Sequence, residues 1–182
     1  MRESIIFAGF GGQGIMFMGK LLAFSAMHSG LEVTWMPSYG AEVRGGTAHS
    51  MVIISDKPIA STVIKDATSA IVMNQPSMDK FKDRIKKGGV LVANTSMVDD
   101  KGGSIDGIKV VSIDATDEAV AMGDVRVANM IALGAYLEVH QIIDFDKVFD
   151  SLRSVLSPRK QNLLKINEDA LKRGRELAKA DG

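Results

Sequence analysis

Near the N-terminus, Gly9-Phe10-Gly11-Gly12-Gln13-Gly14 has the spacing G-x-G-x-x-G, directly after an apolar run and directly before a helical pattern. Glycines at this spacing let the backbone turn sharply. The N–H groups at a helix start then offer an anion such as phosphate the positive end of the helix dipole. A dinucleotide site also needs a carboxylate at the end of the second strand to hold the ribose. Here that end reads Met36-Pro37-Ser38, and Glu32 falls at the strand's beginning. Three readings stay open for the loop: dinucleotide binding, a tight turn without a ligand, and contact with an anion or a partner chain.

A second candidate segment is Ser38-Tyr39-Gly40-Ala41-Glu42-Val43-Arg44-Gly45-Gly46-Thr47. Arg44 has the planar fork that clamps a phosphate or carboxylate through two parallel hydrogen bonds, and Gly45-Gly46 allows close approach to the backbone. The plainer reading is a Glu42/Arg44 surface ion pair, contributing at most about 1 kcal/mol. In a doubly wound sheet the loops past the strand ends form the ligand crevice, so the two glycine segments are expected to be neighbours. The candidate binding residues are therefore Gly11, Gly12, Gln13, Gly14, Ser38, Tyr39, Gly40, Glu42, Arg44, Gly45, Gly46 and Thr47, on a ligand or a subunit interface.

Other chemistry is poorly supported. His28, His49 and His140 show no metal-ligand spacing, so no metal site and no catalytic residue is assigned. There is no G-x-S-x-G, and Lys20 lies too far beyond the glycine loop to be a Walker lysine. With no cysteine, the chain supplies no thiolate nucleophile and no thiolate ligand for zinc or an iron–sulfur cluster. The 11 methionines read as adaptable core.

The elements that hold these loops alternate. Ser4–Phe10 reads as a buried strand, Gln13–His28 as a helix stopped by Gly30, and Glu32–Met36 as a strand ended by Pro37. Pro37–Gly46 then reads as a loop, and Thr47–Ser55 as a strand with no helix before it, pairing antiparallel or lying apart. Strands are expected at 70–73, 90–93 and 109–113, with a helix over 77–87 closed by Gly88-Gly89 and a turn over 99–107. The C-terminal third reads as helical. A segment near 125–137 is apolar nearly all round, so it is either buried centrally or docked on another chain, and Phe17, Leu21 and Phe24 raise the same question for the first helix. Helices from about residue 145, including 161–178, read as peripheral. The fold class is α/β, a three-layer αβα arrangement with a Rossmann-like, open and mixed sheet.

The 182 residues fit one domain, 1–182, and 46% hydrophobic with 24% charged residues is an ordinary globular balance. Lysine plus arginine equals aspartate plus glutamate at 22 each, so no overall field draws in nucleic acid, and self-association meets little repulsion. No apolar run is long enough for a membrane span or a signal h-region, which points to the cytoplasm.

GFGGQGIMFMGKLLA and WMPSYGAEVRGGTAHSMVIISDKPI, in this order and separation, resemble the gamma subunit of 2-oxoacid:ferredoxin oxidoreductases, and the likeness continues through Val90–Ala93 and ANMIALGA at 128–135. The resemblance implies oxidative decarboxylation of a 2-oxoacid, with coenzyme A taking the acyl group and an external ferredoxin the electrons. It implies alpha and beta subunits carrying thiamine diphosphate with Mg2+, iron–sulfur clusters on beta or on a ferredoxin-like delta subunit, and no cofactor bound by this chain alone. This chain would be a non-catalytic subunit that packs on the thiamine-binding chains and helps form the coenzyme A side of the site. The WMPSYG and GGTA forms are similar to the 2-oxoglutarate and branched-chain enzymes, while Ala41, Val43 and His49 depart from the common pattern; 2-oxoglutarate is favoured. The competing readings are a free-standing nucleotide-binding regulator and a purely structural assembly module.

Overall fold

β1, Arg2–Phe10, is the strand around which the molecule is built, and Ile5, Ile6, Phe7 and Ala8 are wholly buried, two toward each face. The computed structural model describes residues 1–40, 46–99 and 105–180. The sheet comprises β1, β2 (Glu32–Tyr39), β3 (Thr47–Ser55), β4 (Ala67–Val72), β5 (Ile85–Asn94) and β6 (Lys109–Ile113), in the order β2-β3-β1-β4-β5-β6. β3 is antiparallel to both β1 and β2, and β1, β4, β5 and β6 run parallel. The sheet is mixed, as expected, and β2 and β3 pair antiparallel with no helix between them.

β2 does not stop at Pro37 but runs on to Tyr39. Proline interrupts a strand by lacking an N–H, and that matters little on a sheet edge, where β2 lies. The expected ten-residue loop thus loses its first residues to the strand. The helix expected over 77–87 is shorter as well. α2 covers Gln75–Phe81, capped by the Asn74 side chain, which accepts from the Ser77 N–H at 3.0 Å, and a tight turn at 82–84 leads directly into β5. Gly88-Gly89 therefore sits inside β5 at a register shift against β4, where a Cβ on residue 89 would stand 2.6 Å from the Thr68 carbonyl oxygen.

One face of the sheet carries α1 (Ile15–His28), α3 (Ala115–Ala121), α4 (Ala128–Val139), α5 (Phe145–Val155) and α6 (Leu164–Ala180), and the other carries α2 and loop residues such as Ile64 and Val98. α1 ends as its sequence suggests, with Gly30 at φ 78° and its N–H on the Met27 carbonyl. α3 was not foreseen as a separate helix.

Of the apolar segment near 125–137, the first three residues form a tight turn with Val125 exposed, and from Ala128 onward it is buried centrally, with the cover coming from this same chain. α6 lies against α4 so closely that a Cβ on Gly134 would stand 2.0 Å from the Leu171 oxygen, and one on Gly174 1.8 Å from the Ile131 oxygen. α6 is thus part of the core and not peripheral, with Ala170 and Leu171 fully buried. α5 likewise packs Val148 and Leu152 into the cluster that holds Leu21 and Leu22, so the first helix is also covered from within. Among the described residues no helix is long and apolar enough to cross a membrane.

Candidate functional site

Neighbouring parallel strands β1 and β4 send their chains to opposite faces: β1 leads into α1 on one side, β4 into α2 on the other. This reversal opens a crevice outside the carboxyl ends of the strands, the usual ligand position in open α/β sheets. The glycine loop stands at its mouth. Gly14, at φ 72°, is the N-cap of α1, and a Cβ there would meet the Asn129 Nδ2 at 2.1 Å. Only glycine satisfies both the backbone conformation and the packing on α4.

The expected neighbourhood of the two glycine segments has a simple origin. β1 and β3 pair antiparallel from Arg2↔Ser55 to Phe10↔Thr47, and one further step places the Gly11 N–H on the Gly46 carbonyl at 2.9 Å. The same step on the other side puts the Gly40 N–H on the Thr47 carbonyl at 2.7 Å. Gly11, Gly46, Thr47, Gly40, Tyr39 and Ser38 therefore line one rim. Glu42, Arg44 and Gly45 lie outside the described residues. The interposed β3 also separates the end of β2 from the glycine loop. The position that would carry a ribose-binding carboxylate is thereby two strands away from the loop, and β2 ends in Tyr39.

The loop's amides are not all available. Gly11 donates to Gly46 and Gln13 to the Phe10 carbonyl at 3.1 Å, leaving the N–H groups of Gly12 and Gly14 without a backbone partner among the described residues. The Gln13 side chain fixes the tip: its Oε1 accepts from the Phe10 N–H at 2.7 Å and the Asn74 Nδ2 at 3.1 Å, and its Nε2 donates to the Met73 carbonyl at 3.3 Å. The Asn94 Nδ2 reaches the same carbonyl at 3.2 Å and the Thr116 hydroxyl at 2.9 Å. These amides tie together the ends of β1, β4 and β5 and the start of α3. Asn74 and Asn94 were missed in the sequence, where the available signal was a buried-strand pattern ending in asparagine each time.

Arg126 was also missed. A hollow of about 370 Å³ lies between Gly11–Gln13, Met73, Met97, Thr116 and the Val125–Arg126 turn, and a second of about 190 Å³ lies between Gly12, Gly14, Asp124, Arg126 and Lys160. Gly12 and Arg126 border both. Arg126 is two-thirds exposed and is held by Asp124, whose Oδ2 accepts from Nη2 at 2.6 Å, so its charge stays fixed beside the loop. That pair keeps the Asp124 carboxyl below its ordinary range. Ser38, Tyr39, Gly40, Gly46 and Thr47 line neither hollow. A larger hollow, about 500 Å³ between Phe145, Phe149, Lys172 and Arg175, sits between α5 and α6, away from the strand ends.

Residues 4–177 match the pyruvate ferredoxin/flavodoxin oxidoreductase family. The chain belongs to that family. It is 33% identical over 188 residues to the 2-oxoglutarate synthase subunit KorC of Methanocaldococcus jannaschii, covering 98% of this chain and 95% of that one. It is 30% identical to the ketoisovalerate oxidoreductase subunit VorA of Methanothermobacter thermautotrophicus, covering 94% of this chain but 35% of VorA. The chain thus spans about a third of the length of its VorA relatives. Among solved structures, the gamma subunit of a Geobacter sulfurreducens keto/oxoacid ferredoxin oxidoreductase superposes with a TM-score of 0.83 at 27% identity, covering 98% and 99% of the two chains. A 2-oxoglutarate:ferredoxin oxidoreductase of Magnetococcus marinus, solved with 2-oxoglutarate, coenzyme A and succinyl-CoA bound, superposes with 0.87 at 28% identity, over 98% of this chain and 31% of that one.

Proposed function

We propose that this chain is the gamma subunit of a multi-subunit 2-oxoacid:ferredoxin oxidoreductase, with 2-oxoglutarate as the favoured substrate, working in the cytoplasm. The observation that carries the reading is the end-to-end match with KorC, a free-standing subunit of the same size. In the assembled enzyme a 2-oxoacid loses CO2, coenzyme A takes the acyl group, and the electrons pass to ferredoxin. Thiamine diphosphate, Mg2+ and iron–sulfur clusters would reside on companion alpha, beta and delta chains. The absence of cysteine agrees with that division of labour, since this chain has no thiolate for a cluster.

Within that enzyme the crevice takes the phosphate end of coenzyme A. Three features support this: the Gly12 and Gly14 amides, which have no backbone partner among the described residues, the N-terminus of the 14-residue α1, and the Arg126 guanidinium bordering both hollows. Arg44, which the sequence singles out, joins this proposal on its chemistry alone.

The test is co-expression with the companion chains, anaerobic purification, and measurement of coenzyme A-dependent ferredoxin reduction with pyruvate, 2-oxoglutarate and 2-oxoisovalerate. Fastest turnover is expected with 2-oxoglutarate. Micromolar NAD binding by the lone chain, with no companion chains co-purifying, would favour the regulator reading instead. If Arg44→Ala and Arg126→Ala both leave the coenzyme A KM unchanged in an intact complex, the coenzyme role falls and a purely structural module remains.

A further inference from the structure

β2 is an eight-residue strand at the sheet edge, and no strand pairs with its outer side among the described residues. Nine large apolar side chains are exposed among those residues, and three of them belong to this strand: Trp35 at 37%, Met36 at 44% and Tyr39 at 57%. The others, such as Met27, Val63 and Val120, are scattered over separate elements. From Val33 to Tyr39 the strand bears no charged side chain, so covering its side chains costs little desolvation, while its outward main-chain groups still need partners. Trp35 is held in place: its Nε1 donates to the Ser50 hydroxyl at 2.7 Å, and Gly19 of α1 leaves room for the ring edge. A tryptophan and a tyrosine, large and with few rotatable bonds, are the side chains that most often dominate binding energy at protein interfaces.

The strand's own backbone narrows what can cover it. Because the Gly40 N–H bonds to the Thr47 carbonyl, alternation along the antiparallel pair turns the main-chain groups of Tyr39, Pro37, Trp35 and Val33 outward. Pro37 has no N–H, so the outward ladder is broken in its middle. A second copy of this strand, lying antiparallel along it, would lose a hydrogen bond there. A partner that grips the edge, taking Trp35 and Tyr39 on one side and Met36 on the other and supplying its own polar groups to the outward N–H and C=O groups, does not depend on a continuous ladder.

Resting on the reading of this chain as one subunit of a complex, we propose that the open edge of β2, from Val33 to Tyr39, is the surface that docks the companion chain corresponding to the rest of the longer relatives. In VorA and in the Magnetococcus marinus enzyme the matching domain is about a third of one continuous chain, so a body roughly twice its size is covalently attached to it. On the reading of this chain as a subunit separate from its companions, as KorC is, that attachment is replaced by a noncovalent interface. Of the two sheet edges, β2 is the one that exposes large apolar side chains among the described residues, and it runs directly into the rim at Gly40, Thr47 and Gly46 beside the glycine loop. A chain docked there would sit next to the crevice.

The experiment uses the co-expressed complex with Met36→Glu/Tyr39→Glu, two exposed positions whose replacement leaves the packed Trp35 in place. Circular dichroism checks that the variant chain is folded, and Val63→Glu, at an exposed position on a different element, is the control. Binding of companion chains, read by size-exclusion chromatography with native mass spectrometry, should weaken at least tenfold for the double variant and be unaffected for the control. Protection of the outward amides of Val33, Trp35 and Tyr39 from hydrogen exchange should rise on assembly. Full association of the double variant would overturn the proposal while leaving the subunit reading intact. If the unaltered chain binds no companion at all, the subunit reading falls and this surface with it. A lone-chain dimer dispersed by the same double substitution would assign the edge to self-association and also overturn the proposal.

Discussion

Replacing Gly174 by alanine sets two effects of opposite sign against each other. In a helix interior alanine is favoured over glycine by about 1 kcal/mol, because glycine gives up more backbone freedom on folding. At position 174, however, the new Cβ would stand 1.8 Å from the Ile131 oxygen, 2.7 Å from its carbonyl carbon and 3.0 Å from the Ala135 nitrogen. A comfortable carbon–oxygen contact is roughly 3.3 Å, so α4 and α6 would have to part by roughly 1.5 Å at their crossing. All three atoms are main chain, and no rotamer change relieves the overlap. Overpacking costs about 1–3 kcal/mol where neighbours yield, and rigid backbone on both sides puts this site at the upper end. The net is a loss of about 2 kcal/mol after the helix preference is subtracted. For a domain of this size that lowers Tm by about 4–8 °C. Urea unfolding and a thermal melt followed by circular dichroism would measure it, and Gly134→Ala should behave alike. The double variant should cost less than the sum, since one separation relieves both overlaps. If Gly174→Ala equals or exceeds the parent in stability, helix preference has won and the close α4–α6 crossing is wrong.

Three other outcomes follow from the same contacts. Tyr136→Phe removes the hydroxyl that lies 2.9 Å from the Ser69 Oγ in a fully buried site, stranding that hydroxyl at a cost of about 1–3 kcal/mol, measurable as a shift in the urea midpoint at constant slope. His140, 3.1 Å away, is the main reason the Glu3 carboxyl is held below its ordinary range, with Thr68 helping against the effect of burial. A lowered carboxylate adds stability above its unfolded pKa and loses it as pH falls through the folded value, so Glu3→Gln should flatten the acid limb of stability against pH; an unchanged limb would refute the coupling. In the assembled enzyme Arg126→Ala should raise the KM for coenzyme A about tenfold while the KM for the 2-oxoacid stays put, and a uniform loss of kcat with both KM values unchanged would count against a binding role.

The opening of the chain was legible because its signals are local. An apolar run, a glycine loop, a periodic stretch and Gly30 each act within a few residues, and β1, the loop and α1 follow from them. Pro37 was misread for the opposite reason. A missing N–H ends a strand only where that N–H is needed, and need depends on whether the strand is central or on an edge. Gly88-Gly89 misled in the same way, since a glycine pair closes a helix or sits in a bulge according to what the neighbouring strand brings against it. Arg126 carried no motif, and it reached the glycine loop only through the turn before α4.

By itself the sequence determined the six strands, the first helix and the glycine loop between them, because hydrophobic periodicity and glycine spacing are properties of neighbouring residues, and the resemblance of the two glycine segments gave the family. The pairing of β1 with β3 is what brings those segments to one rim, and α3 emerged only in the structure. Tertiary structure decided which surfaces are covered. The same nearly all-apolar pattern over 125–137 fits a core helix or an interface helix, and only α6, folding back with Gly174 against Ile131, settles its stretch from Ala128 as core. The same Trp35-Met36 pair fits an interior strand or an edge, and only the place of β2 outside β3 leaves it open to a neighbour. Burial is a relation between distant parts of a chain, so it appears only when those parts have met.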